Sequence, residues 1–156
     1  VFEQVFPDGP IQVLGPSVPE RPELGSLEDP CRGPARALSA WAASAPPCVL
    51  RWWILACDQV RWTPPRLEAW YALGTAADPD AQSWVLAGHE GRIQFLGGFL
   101  GTALLPSLAT SPAVSMKALA EGLPLAILPS AGPEWLDVDS PEDLKLWLYD
   151  PAFNPY

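Results

Sequence analysis

Asp58 is the residue of this chain best placed to do chemistry. It ends the run Cys48-Val49-Leu50-Arg51-Trp52-Trp53-Ile54-Leu55-Ala56-Cys57, which is rich in β-formers and almost continuously apolar. In a parallel α/β sheet, ligands bind beyond the carboxyl ends of the strands. A carboxylate there can hold Mg²⁺, which takes one or two protein carboxylates and the phosphates of a substrate. The plainer alternative is that Asp58 caps the following turn. Asp137 and Asp139 stand two apart at the end of another strand-like stretch, Trp135-Leu136-Asp137-Val138-Asp139. Their side chains share a face and could complete a metal site with Asp58, or simply favour the helix start that follows them. Gly33-Pro34 opens a helical stretch just after Glu28-Asp29, so the free N–H groups of that helix start could receive an anion or a nucleobase. His89, the only histidine, falls in a turn-like His89-Glu90-Gly91-Arg92 and reads as a solvated loop residue rather than a general base. Trp62, four after Asp58, is the tryptophan expected to border a ligand; the others read as packing residues.

The elements that must position these residues follow from pattern and punctuation. Ile11–Leu14 reads as a strand stopped by Gly15-Pro16, followed by an extended, turn-rich loop to Gly33-Pro34. Ala35–Ala43 reads as a helix with Leu38, Trp41 and Ala42 on one face, ended by Pro46-Pro47. The apolar run 48–57 is expected to be the central strand. Thr63-Pro64-Pro65 starts a helix over Arg66–Leu73 that stops at Gly74. Strands are expected at 83–87, 93–96, with a hairpin-like turn between them, and 125–128. Two short helices are expected near 104–108 and 116–120. Ser140-Pro141-Glu142-Asp143 then opens a helix over Leu144–Leu148. This alternation predicts an α/β fold: three-layer α/β/α, Rossmann-like, with a mostly parallel sheet and one antiparallel excursion.

Composition narrows the function classes. With 156 residues, 49% hydrophobic and 17% charged, the chain is expected to form a single domain over 1–156. Its longest unbroken apolar run, Trp52 to Cys57, is far short of the roughly 20 residues of a membrane-spanning helix, and no basic-then-apolar leader opens the chain. Nine Lys and Arg against 18 Asp and Glu give a net charge of −9, which disfavours nucleic acid as a partner. Cys31, Cys48 and Cys57 lack the spacing of a zinc knuckle and are odd in number, which suits a reducing cytoplasm.

Taken in order, Gly33-Pro34-Ala35-Arg36-Ala37-Leu38, Leu55-Ala56-Cys57-Asp58-Gln59-Val60-Arg61-Trp62 and Leu136-Asp137-Val138-Asp139-Ser140-Pro141-Glu142-Asp143-Leu144 resemble the molybdenum cofactor guanylyltransferase family and its cytidylyltransferase relatives. The resemblance covers about residues 11 to 148. It implies a nucleotidyltransferase that moves GMP from GTP to the phosphate of molybdopterin and releases pyrophosphate. By the same resemblance, Asp58 binds Mg²⁺, Asp29 lies in a loop contacting the base, and Asp139, with Asp137, approaches the metal and the acceptor. Gly97-Gly98 matches the glycine pair of the acceptor side. Gln59-Val60-Arg61-Trp62 departs from the family's residue-Pro-aromatic continuation, and Asp137 and Asp139 stand where guanylyltransferases often carry Asn, which leans towards CTP. The family's opening strand and its glycine-rich Leu-Ala-Gly-Gly loop with Arg-Met-Gly and Asp-Lys have no counterpart here. The only lysines are Lys117 and Lys145, and the chain opens on Val1. It therefore reads as a domain whose first strand, glycine-rich loop and first helix are left out, with transfer by this segment alone crippled. The alternatives are a CTP-using or sugar-phosphate nucleotidyltransferase, a non-catalytic pterin- or nucleotide-binding subunit, and an α/β domain whose acidic residues only cap helices. A molybdoenzyme or a cofactor-delivery protein is the expected protein partner of the enzyme.

Overall fold

The computed structural model describes residues 2–27, 32–47, 49–57, 59, 62–89, 91–130, 140–142 and 145. Its elements are α1 (Phe2–Val5), β1 (Gln12–Leu14), β2 (Gly25–Leu27), α2 (Pro34–Ala42), β3 (Arg51–Ile54), α3 (Pro64–Ala77), β4 (Trp84–His89), β5 (Arg92–Gly101), a 3₁₀ turn (Thr102–Leu104), α4 (Leu105–Ala109), α5 (Met116–Glu121) and β6 (Leu125–Pro129). The strands form a parallel pair, β1-β2, and a four-stranded mixed sheet in the order β3-β5-β4-β6. In that sheet β3, β4 and β6 run in one direction and β5 runs against them.

The expected antiparallel excursion is therefore present, but it changes the place of the apolar run. After the turn at Gly91, whose φ of +77° suits glycine, β5 continues to Gly101 and inserts between β4 and β3. β3 is consequently an edge among the described strands of this sheet, paired antiparallel to β5, rather than the central strand of a parallel sheet. Its apolar character has the expected cause, since both of its faces are covered, Trp52 and Ile54 on one and Trp53 on the other. The expected loop after Gly15 also contains β2, which pairs with β1 from Gln12↔Gly25 to Leu14↔Leu27.

Strand alternation divides the core into two clusters. Trp52 and Ile54 of β3, Trp84 and Leu86 of β4 and Leu100 of β5 pack with Leu38 and Trp41 of α2, Leu105 and Leu108 of α4, and Leu119 of α5. Val85 and Ala87 of β4 and Phe99 of β5 point the other way, to Leu67 and Trp70 of α3 and to Trp62, with Val5 of α1 packed alongside. Both faces of the sheet thus carry helices. Trp62, expected beside a ligand, is only 4% exposed and packs edge-on against Trp53 with ring centroids 5.0 Å apart; its apolar payload goes to the core.

The α3 helix corrects a second expectation. It does not stop at Gly74 but runs to Ala77, with Asp78 as its C-cap. Gly74 is inside the helix because the Phe99 ring occupies the space of a side chain: a Cβ there would lie 2.6 Å from Phe99 Cδ2. Asp78 closes the next turn by accepting the backbone N–H groups of Gln82 (3.0 Å) and Ser83 (2.9 Å), while the Arg51 guanidinium donates to its carbonyl. Burial pushes the Asp78 carboxyl upward, but these N–H bonds and the Arg51 charge outweigh it and hold the carboxyl below its ordinary 3.8. Among the described residues, no helix is long and apolar enough to cross a membrane.

Candidate functional site

One cleft among the described residues opens where two strands end. Leu14 closes β1, and Ile54 and Leu55 stand at the carboxyl end of β3; with them, Gly33, Pro34, Ala37 and Leu38 of the α2 start and Leu96 of β5 line a cavity of about 270 Å³. Trp41 of α2 holds the two walls in place. Its indole Nε1 donates to Gln12 Oε1 of β1 (2.7 Å), and its ring meets Trp52 of β3 edge-on at 5.2 Å.

Gly33-Pro34 does here what its residue types dictate. Gly33 has φ +85° and ψ 167°, a backbone that an L side chain adopts only under strain, and it turns the chain into α2. Pro34 takes the first helical position, where its missing N–H costs nothing. No side chain caps this helix end, and the Gly33 carbonyl receives the N–H groups of Arg36 and Ala37, both at 3.1 Å. The Arg36 guanidinium turns away from the cleft to the Ser111 carbonyl at 3.3 Å, so the described lining carries no cation. The described lining is aliphatic, and the uncapped start of α2 forms part of it.

The structure thus brings two of the motifs together, Gly33-Pro34 and the end of the strand that leads to Asp58. Asp58 itself, with Asp29, Asp137 and Asp139, lies outside the described residues, as does the strand expected at 135–139. Of the helix expected after Ser140, the described Pro141, Glu142 and Lys145 are helical. Among the described residues no group of three or more His, Cys, Asp or Glu side chains lies together. Cys57, in the loop that follows β3, is an exposed free thiol.

Gly97 and Gly98, expected on the acceptor side, have a backbone reason for being glycine. On β4, Val85 pairs with Phe99 and Ala87 with Gln94, so the four residues Phe95–Gly98 face the single Leu86 in a wide bulge. Gly97 takes φ +99° there. A Cβ on Gly98 would come within 2.3 Å of the Val85 carbonyl oxygen. The bulge turns Leu96 into the cleft wall. Sequence reasoning missed Leu14, Leu55 and Leu96 as walls. The first two carry a usable signal, their place at strand ends beside a glycine-opened helix; Leu96 carries none, because its position is set by the tertiary register of β5. Comparison with protein-family models, with curated proteins and with solved structures finds no match to this chain.

Proposed function

We propose that this chain is the nucleotide-binding domain of a nucleotidyltransferase of molybdenum cofactor maturation, acting between GTP and the phosphate of molybdopterin. The observation that carries the reading is the cleft: it joins the Gly33-Pro34 start of α2 to the carboxyl end of β3, four residues before Asp58. Its aliphatic walls suit a planar base or pterin. Its 270 Å³ sits just under the roughly 300–1,000 Å³ of pockets that enclose whole drug-sized ligands, so it would hold the ring and leave the phosphates at the mouth. Helices packed on both faces of a sheet whose β3, β4 and β6 run together support the three-layer α/β/α, Rossmann-like arrangement.

Mg²⁺ demands hard oxygen donors. The described lining supplies no carboxylate, so the donors in this reading are Asp58 with Asp137 and Asp139, a set of the right chemistry. When bound, the ion neutralises triphosphate charge. In the reaction the molybdopterin phosphate oxygen forms a bond to the α-phosphorus of GTP as the bond to pyrophosphate breaks. Gly33 and the α2 start would orient the base, Asp29 would contact it, and Gly97-Gly98 with Asp139 would border the acceptor. CTP in place of GTP is the alternative nucleotide. The exposed free thiol of Cys57 accords with a reducing cytoplasm.

The test is binding of GTP and CTP, with and without Mg²⁺, and of molybdopterin, to the wild type and Asp58→Asn. Mg²⁺-dependent nucleotide binding in the wild type, lost in a folded Asp58→Asn, supports the reading; undiminished Mg²⁺-dependent binding in the variant overturns it. Pterin bound without either nucleotide marks a binding subunit.

A further inference from the structure

The β1–β2 pair stands apart from the main sheet. It is a two-stranded parallel sheet of its own, three residues on each strand, with no rung to β3, β4, β5 or β6 among the described residues. Such a pair is marginal in water unless an apolar face is covered, and this one has little to cover. Leu14 and Ser26 are exposed, Gln12 is polar, and Leu27 is the residue that packs on the core beside α2 and α4. The pair is instead tied at two corners. On one side Gln12 Oε1 accepts the indole N–H of the buried Trp41 at 2.7 Å. On the other, Arg21 of the β1–β2 connection pairs with Glu3 of α1, and the chain leaves α1 at Phe6, whose ring sits edge-on to Trp53 and Tyr71 with centroids at 6.4 and 5.1 Å. Between that seat and β1 run Pro7-Asp8-Gly9-Pro10, all exposed, turned by a Gly9 N–H bond to the Phe6 carbonyl at 3.0 Å.

We infer that the β1–β2 pair is a movable wall of the cleft, which swings as one unit about the 7–10 turn and is latched by the Gln12–Trp41 hydrogen bond. A segment with few buried apolar contacts opens at a lower free energy than the whole chain unfolds. Opening carries Leu14 away from Leu55 and Leu96 and uncovers the aliphatic slot. It also returns the Trp41 indole to water, so the released N–H is not left buried and unpaired. The body stays in place, because Leu38 and Ala42 keep α2 on the core without the pair. The motion follows from this packing; its service to a bound base rests on the proposed nucleotide cleft.

Hydrogen exchange of the full chain in rising urea, read by NMR, tests the wall. Two protons report it: the Gly15 amide, which donates to the Leu27 carbonyl at 2.9 Å, and the Trp41 indole N–H. In the wild type both are expected to exchange through one opening, with the same urea dependence, and about tenfold or more as often as the amides of β4 and β5. Gln12→Met removes the acceptor at similar length and is expected to raise both openings about two- to tenfold with β4 and β5 unchanged, while Gln12→Glu keeps an acceptor oxygen and stays near the wild type. Protection of both protons until β4 and β5 unfold overturns the inference, and so does a Gly15 that opens while the indole stays protected, or a Gln12→Met that changes neither. Wild-type exchange decides the matter should Gln12→Met fail to fold. Guanosine and cytidine give the ligand readout: either one, at ten times its Kd, is expected to slow both openings about tenfold. A nucleoside that binds without slowing them overturns the wall's part in holding a ligand. If neither binds, the nucleotide reading falls, and exchange of the unliganded chain alone decides whether the wall moves.

Discussion

Gly74→Ala sets helix propensity directly against packing. In an exposed helix interior the change from Gly to Ala is worth about 0.8–1.0 kcal/mol in favour of the variant. Here the new Cβ would stand 2.6 Å from Phe99 Cδ2 and 2.9 Å from Cε2. Phe99 has little room to retreat: it is 2% exposed, with Trp53, Tyr71 and Trp70 ring centroids at 4.5, 5.5 and 6.4 Å. Overpacking of a filled core costs about 1–3 kcal/mol, so the balance falls against the variant by up to about 2 kcal/mol. In a chain of 156 residues that lowers Tm by up to about 8 °C. Thermal and urea unfolding followed by circular dichroism would read the difference. In a Phe99→Leu background the obstruction is removed, and Gly74→Ala is expected to become neutral or stabilising. A Gly74→Ala protein as stable as the wild type, or a penalty that persists without the ring, would refute the assignment of Gly74 to close packing.

Other substitutions separate close approach from mere backbone freedom. Gly98→Ala is expected to cost about 1–3 kcal/mol, because its Cβ would meet the Val85 carbonyl at 2.3 Å. Gly122→Ala, whose nearest neighbour would be the Leu119 carbonyl at 3.7 Å, is expected to be neutral or slightly stabilising; equal urea midpoints for the two would contradict this. Asp78→Ala removes the acceptor of two backbone N–H groups and is expected to cost about 1–3 kcal/mol at pH 7. Because the folded carboxyl titrates below its ordinary 3.8, its stabilisation is fully present above that value and drains away as the pH falls through the lower folded pKa. The stability difference between wild type and Asp78→Ala should therefore shrink below about pH 4, as urea titrations at pH 3 and pH 7 would reveal.

The sequence made local rules legible and left sheet order obscure. The start of α2 follows from Gly33-Pro34, and the positions of β4, α5 and β6 follow from their apolar runs. The length of α3 does not, since Gly74 carries a stop signal that only the Phe99 ring explains. The run 48–57 reads as central because its residues are apolar in succession; the insertion of β5 beside it is a long-range choice without a local mark. Gly33-Pro34 was readable as a helix start from its glycine and proline types. The aliphatic walls became visible only once β1, β3 and the β5 bulge converged. Gln59 stands at a departure from the motif, and its amide donates to a carbonyl 37 residues away, a contact without a local mark in the sequence.

The most direct test of the nucleotide cleft is a calorimetric titration of the full chain with GTP and with CTP in Mg²⁺, for the wild type and for Leu14→Trp. Leu14 is 39% exposed at the cleft rim, so an indole there fills the slot without disturbing the core. The account predicts one nucleotide bound per wild-type chain and at least tenfold weaker binding in Leu14→Trp at unchanged Tm. Binding of equal strength in both proteins, or none of either nucleotide to the wild type, would contradict it.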